Sequence, residues 1–171
     1  MRPPQSPLTP IYLGLGSNLG DRAEHLASAR SSLAASGFKI AAQSSIIETE
    51  PYGVLDQPGY LNQVLEGAWE GSPLDLLATC QEIEAQAGRR RLLRWGPRTL
   101  DVDILLVGTL VLGGGDLEVP HPGLPQRLFV LRSMVELRPD LIHPTLQRTM
   151  RQLYDDAIRS SGQPGLAEVK R

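Results

Sequence analysis

The order of secondary-structure signals constrains this chain more than any other feature. Four short apolar segments alternate with two amphipathic ones as strand, helix, strand, strand, helix, strand. Ile11-Tyr12-Leu13-Gly14-Leu15-Gly16 reads as a first strand ending in glycines. Asp21, with Glu24 three residues later, forms a capping-box pattern, and Leu26, Ala29 and Leu33 follow at helical spacing before Gly37. Phe38 to Glu48 carries Ile40, Ile46 and Ile47, and Tyr60 to Trp69 is again apolar, so two strands joined by a Pro/Gly loop are expected. Ser72-Pro73-Leu74-Asp75 starts a second helix, with Leu77, Cys80, Ile83 and Ala87 as its apolar face and Gly88 as its stop. An arginine-rich loop then leads into a strand at about 100–107. This β-α-β-β-α-β order predicts an α/β (α+β) domain with a ferredoxin-like, split βαβ core. Leu128–Leu137 and Met150–Ala157 are expected to add C-terminal helices.

The limits of the chain follow from composition. With 171 residues and 41% hydrophobic content, it can bury one ordinary core. Residues 1–10 hold four prolines and read as a flexible leader, 11–157 as the domain, and 158–171 as a frayed tail. A net charge of −2 argues against bulk capture of nucleic acid, so any basic site is local. Cys80 is the single cysteine, which excludes a disulfide framework or cysteine metal cluster and fits a reducing cytoplasm. No apolar h-region opens the chain and no run of about 18 apolar residues occurs, so secretion and membrane spanning are not expected.

The chemistry concentrates in Arg94-Trp95-Gly96-Pro97-Arg98-Thr99-Leu100-Asp101-Val102-Asp103, which runs directly into Ile104-Leu105-Leu106-Val107. On a strand, positions i and i+2 share a face about 6.5–7 Å apart, so Asp101 and Asp103 can converge on one divalent ion or bridge two. Aspartate oxygens suit Mg²⁺, which takes its remaining ligands from water and substrate phosphates. Val102, Ile104 and Leu106 are expected on one face of that strand, and Leu105 and Val107 on the aspartate face. The bland alternative is a strand end whose aspartates face water. Arg89, Arg90, Arg91, Arg94 and Arg98 precede the pair within ten residues, each with a fork that matches phosphate oxygens. A solvated basic loop or a small RNA patch would account for the arginines, but not for the paired aspartates beside them.

Other positions are weaker alone. Gly14-Leu15-Gly16-Ser17-Asn18-Leu19-Gly20 fits neither the dinucleotide fingerprint nor a P-loop, and a tight strand-to-helix turn explains it. Tyr60 and Asn62 put a ring and an amide on one strand face, able to stack a flat heterocycle and read its edge, or to serve as an ordinary sheet pair. Val119-Pro120-His121-Pro122 holds one histidine between prolines. His25 and His143 lie in unrelated contexts, so no histidine metal cluster is expected. Arg127-Leu128-Phe129 adds a cation and a ring at a helix start.

Taken together, Gly16-Ser17-Asn18-Leu19-Gly20, Tyr60-Leu61-Asn62, the Arg94–Asp103 run, Val119-Pro120-His121 and Arg127-Leu128-Phe129-Val130-Leu131 resemble the 6-hydroxymethyl-7,8-dihydropterin pyrophosphokinase family of folate biosynthesis. The resemblance spans about residues 11–157 in one order. It implies Mg²⁺-dependent transfer of the β,γ-pyrophosphoryl unit of ATP to the pterin hydroxymethyl group, with release of AMP. By the same resemblance Asp101 and Asp103 correspond to ligands of two Mg²⁺ ions. Asn62 corresponds to the residue that hydrogen-bonds the pterin, Tyr60 and Phe129 to the rings that enclose it, and Thr49, Pro51, Tyr52 and Gly53 to the rest of that pocket. Gln81, Glu84, Arg98, His121 and Arg127 match ATP-side positions. Arg89 and Arg91 match a catalytic loop, and Trp95 its closing edge. The chain departs from the pattern at Leu92 and Leu93, where members often carry polar residues, and at Gly123, where many are basic. A monomer acting on ATP and the pterin, with no nucleic-acid or membrane partner, is the expectation. The rivals are an RNA-binding module, which would need no Mg²⁺ and show steep salt dependence, and another nucleotidyl or phosphoryl transferase, which would reject pterins.

Overall fold

The computed structural model describes residues 8–50, 56–88 and 99–162. Its elements in chain order are β1 (Ile11–Ser17), α1 (Arg22–Ala35), β2 (Lys39–Gln43), β3 (Ile47–Thr49), β4 (Tyr60–Ala68), α2 (Pro73–Gln86), β5 (Asp101–Val107), a 3₁₀ turn at Leu124–Gln126, α3 (Leu128–Leu137) and α4 (Met150–Ser161). The sheet runs β2-β4-β1-β5 with β3 also beside β4, and every pairing is antiparallel. Counting β2 and β3 as one interrupted strand, this is the split βαβ order expected from the sequence.

The two faces of the sheet carry separate cores. Ile11, Leu13 and Leu15 of β1 meet Leu26 and Leu33 of α1 and Leu76, Cys80 and Ile83 of α2. On the opposite face Tyr12 and Val64 meet Val130, Leu131 and Met134 of α3, with Met150, Leu153 and Tyr154 of α4 closing the layer. Period-two alternation along β1 therefore assigns odd residues to the first layer and even residues to the second. Glu66 lies buried on the second face, where Arg138 holds it with Nε to Oε2 at 2.9 Å and Nη2 to Oε1 at 2.8 Å. That pair ties the end of α3 to β4.

Several expectations are corrected by pairing that the sequence does not display. The expected single strand Phe38–Glu48 is two strands. Gln43 pairs with Leu65 and Ile47 with Asn62, so four residue steps on one side oppose three on the other. The surplus is accommodated at Ser44, whose N–H donates to Val64 O and whose hydroxyl accepts from Val64 N, both at 2.9 Å. In β5 a second irregularity sets Tyr12 opposite Leu106 but Leu13 opposite Ile104. Leu105 and Leu106 consequently both join the α3 layer while Val107 turns to the α1/α2 layer, the reverse of the alternation expected for Leu106 and Val107.

Helix termini follow their local chemistry with small differences. Asp21 caps α1 by accepting from Glu24 N at 3.0 Å, but the Glu24 carboxylate takes a bond from Ser28 instead of reaching back, so half of the expected box forms. Ser72 and Asp75 complete a full box on α2 behind Pro73. The buried stripe of α2 contains Leu76 and Glu84, with Leu77 and Ala87 only partly covered. Helix α4 runs past the expected end at Ala157, because Ile158 still packs on the second core and the stop is Gly162 in the left-handed region (φ 65°).

His143, 3% exposed, anchors the α3–α4 connection through Nδ1, which accepts from Leu146 N at 3.2 Å. Burial holds its pKa below the ordinary 6.5. The unfolded chain then binds the proton more readily than the native one, so stability falls as pH drops below about 6.5 and levels off once the native imidazole has also titrated. The expected result is a melting temperature that declines from pH 7 to pH 5 with a slope reduced in His143→Gln; an unchanged slope would remove His143 as a source of it.

Candidate active site

A cleft of about 710 Å³ opens on the α3 side of the sheet, where α3 begins and leaves the ends of β1, β4 and β5 uncovered. Its floor is set by register. Asp101 pairs with Gly16 and Gly16 with Asn62; two residues along, Asp103 pairs with Gly14 and Gly14 with Val64. Two strand spacings therefore separate the carboxylates from the amide by about 10 Å, with bare glycine between them. The expected strand-to-helix turn lies between Ser17 and Arg22 and draws on Gly20 alone of the three glycines. Gly14 and Gly16 are extended residues inside β1, and within the Gly14–Gly20 segment only Gly20 has positive φ (67°).

At one end, Tyr60, Asn62, Thr49 and Phe129 line the cleft together. Asn62 is 7% exposed and its Nδ2 donates to Thr49 Oγ1 at 2.8 Å, with longer bonds to Ile47 O and Tyr60 O. The amide nitrogen is thus committed to the protein, which orients Oδ1 as the acceptor available to a ligand. A Cβ on Gly16 would stand 3.4 Å from that oxygen, so the acceptor overlooks the glycine floor.

At the other end, Asp101, Asp103, His121 and Arg127 line the cleft. Both aspartates are partly exposed and share one face of β5. Arg127, the residue before α3, places Nη1 3.5 Å from Asp103 Oδ2. His121 Nδ1 accepts from Gly123 N at 3.0 Å, so the neutral ring carries its hydrogen on Nε2. Burial pushes the His121 pKa below 6.5; Asp103 opposes that shift and Arg127 adds to it, and the ring is a neutral donor at pH 7. Gly123 lets the two side chains pack closely: a Cβ there would lie 2.9 Å from Arg127 Nε and 3.2 Å from His121 Cε1, so the Arg127 guanidinium would have to shift. The departure from a basic residue at this position leaves room for Arg127.

The two α2 positions differ from the cleft residues. Gln81 is exposed, and neither it nor Glu84 lines the cleft. Glu84 is 6% exposed and its Oε1 accepts from Val102 N at 2.8 Å, the backbone amide between the two aspartates. Since β5 is the sheet edge, this bond satisfies an outward N–H and fixes the strand that carries Asp101 and Asp103. Pro51, Tyr52, Gly53, Arg89, Arg91, Trp95 and Arg98 fall outside the described residues. Sequence reasoning did not select Val64, Leu105, Gln126 or Ser133, which also line the cleft. The first two read as core, and nothing in their spacing separates a core face from a cleft floor.

Residues 12–139 match the family described as 7,8-dihydro-6-hydroxymethylpterin-pyrophosphokinase (HPPK). The chain belongs to that family. Among pyrophosphokinase relatives, the 2-amino-4-hydroxy-6-hydroxymethyldihydropteridine pyrophosphokinase of Methylorubrum extorquens is 42% identical over 136 residues, covering 79% of this chain and 86% of its own. The enzyme of that name from Haemophilus influenzae is 41% identical over 137 residues, covering 80% and 86%. The folic acid synthesis protein fol1 of Schizosaccharomyces pombe is 40% identical over 145 residues; the match covers 84% of this chain and only 20% of that much longer protein. The HPPK fold is shared with Plasmodium falciparum HPPK-DHPS solved with pterin and p-hydroxybenzoate, at a TM-score of 0.73 and 14% identity over 94% of this chain and 45% of that one. Among the described residues no helix is long and apolar enough to cross a membrane.

Proposed function

We propose that this chain transfers the β,γ-pyrophosphoryl unit of ATP to the hydroxymethyl group of 6-hydroxymethyl-7,8-dihydropterin, giving AMP and the pterin diphosphate, a step of folate biosynthesis. The observation that carries the reading is the division of one cleft into an aromatic and amide end and a carboxylate, imidazole and guanidinium end, joined by a side-chain-free strip at Gly14 and Gly16. A flat heterocycle suits the first end and a triphosphate the second, and their reacting groups would meet over the glycines. The pyrophosphokinase relatives support the choice of substrates.

Two Mg²⁺ ions are part of the proposal, and the residues fit them. Asp101 and Asp103 offer hard oxygens on one face, and among the described residues no third carboxylate, histidine or cysteine joins them. Such a pair suits a cation that completes its shell with water and triphosphate oxygens. When bound, the ions would neutralise the triphosphate and orient it for in-line attack. Tyr60 and Phe129 stack the pterin, and Asn62 Oδ1 accepts from its edge N–H groups. The pterin hydroxyl attacks the β-phosphorus and AMP departs. Arg127 and His121 Nε2–H donate toward phosphate oxygens, and Arg89, Arg91 and Arg98 are assigned the remaining charge neutralisation, with Trp95 assigned to the nucleotide side. Gln81 belongs to the nucleotide side, as does Glu84, which acts through β5; Thr49, Pro51, Tyr52 and Gly53 belong to the pterin side. No covalent nucleophile is required, and an aspartate bound to metal is a poor base for the hydroxyl proton. A monomer working in the cytoplasm, where ATP is supplied, completes the proposal.

One assay decides the class: the full chain with Mg²⁺, ATP and the hydroxymethyldihydropterin. AMP formation that depends on the pterin is the expected result. ADP in place of AMP, or ATP turnover indifferent to the pterin, would overturn it.

A further inference from the structure

We infer that Arg22 is a positioning residue for the pterin end of the cleft, strapping together the two flanks of the connection between β3 and β4; the inference rests on the function proposed above. Arg22 is the first residue of α1, far in sequence from both of its partners. Its Nη1 donates to Glu48 Oε1 at 2.9 Å and to Gly59 O at 2.7 Å. Glu48 stands immediately before Thr49, and Gly59 immediately before Tyr60. One guanidinium nitrogen thus closes a ring around the neighbours of two cleft-lining residues.

The flanks are held unusually close. A Cβ on Gly59 would lie 2.9 Å from Thr49 O, so the backbones approach nearer than any side chain permits. Across the same gap runs the bond from Asn62 Nδ2 to Thr49 Oγ1. If the flanks part, Thr49 withdraws, the Asn62 amide is free to rotate, and its Oδ1 no longer faces the glycine floor. Arg22 acts on the pterin through this sequence of contacts and touches no substrate.

The two contacts differ in weight. The Glu48 side chain is 63% exposed, so the charge of that pair is screened and the contact holds its flank as a plain hydrogen bond, which glutamine can also accept. The Gly59 carbonyl instead takes a charge-assisted bond from a side chain only 27% exposed. Losing that bond is expected to weaken pterin binding about tenfold.

The test compares Arg22→Ala, Arg22→Lys and Glu48→Gln in the full chain, by pterin titration and by steady-state kinetics in each substrate. Arg22→Ala should raise the pterin Kd and KM about tenfold while the ATP KM moves less than about twofold. Arg22→Lys, which keeps one donor for the carbonyl, should recover most of the loss, and Glu48→Gln should change pterin binding less than about twofold. An unchanged pterin Kd in Arg22→Ala, an equal rise in both KM values, or a lowered melting temperature with no selective effect on the pterin would each overturn the strap. Should the wild-type chain bind the pterin yet release no AMP, the proposed activity falls, and the titrations still decide for or against Arg22.

Discussion

Asp101→Ala and Asp103→Ala are each expected to lower pterin-dependent AMP formation by about a thousandfold or more, since removing a ligand that positions and neutralises a triphosphate costs several kcal/mol of transition-state stabilisation. The fold should be unaffected. Asp103 is partly exposed, and its ion pair with Arg127 has a 3.5 Å separation with the two side chains 39% and 35% exposed. A pair of that kind contributes no more than about 1 kcal/mol. Removing one of two neighbouring carboxylates also relieves repulsion between them when no cation is bound. The melting curve should therefore stay in place while activity disappears, the opposite of what loss of a core residue produces. Asp101→Asn and Asp103→Asn separate charge from shape: they should be nearly as inactive as the alanine variants, and raising Mg²⁺ should restore part of their rate. AMP release near the wild-type rate in either alanine variant would refute the assignment of these carboxylates to the metal.

That prediction draws on the part of the molecule most legible in the sequence. Asp101 and Asp103 share a face because a strand has period two, and the strand itself was marked by Ile104 to Val107. The same rule puts Tyr60 and Asn62 on one face, and α3 begins and ends where its apolar pattern does. What could not be read is relational. The irregularity that sends Leu105 and Leu106 to one core depends on how β5 aligns with β1, and a one-residue offset leaves no local trace. The interruption at Ser44 arises from its two hydrogen bonds with Val64, twenty residues away. Glu84 reads as a polar position on α2, yet its carboxylate is spent on a β5 amide that only tertiary packing brings near. Arg22, Glu48 and Gly59 have no spacing in common, so no motif connects them.

The glycines of β1 belong to the same class, and they allow stability and function to be driven in opposite directions. Glycine inside a strand is locally unfavourable, and replacing it with a β-branched residue at an extended position should stabilise the chain by roughly 0.4–1 kcal/mol through the unfolded state and strand preference. At Gly16 the space is reserved for a ligand. A Cβ would meet Asn62 Oδ1 at 3.4 Å and Tyr60 Cδ1 at 3.8 Å, ordinary contacts that alanine can make. The two further carbons of valine would occupy the floor between the amide and the carboxylates, where the pterin is proposed to extend its hydroxymethyl group toward the triphosphate. Gly16→Val is therefore expected to melt no lower than wild type while its pterin affinity falls roughly tenfold to a hundredfold, the usual cost of overfilling a fitted site. Gly16→Ala should lie between the two. Gly14→Ala, whose Cβ would rest 3.5 Å from the Leu105 methyls, should affect the pterin least of the three. Calorimetry and pterin titration on this series give both quantities. If Gly16→Val bound the pterin as tightly as wild type, the pterin could not extend over β1, and the joined two-ended cleft would have to be abandoned as the site of transfer.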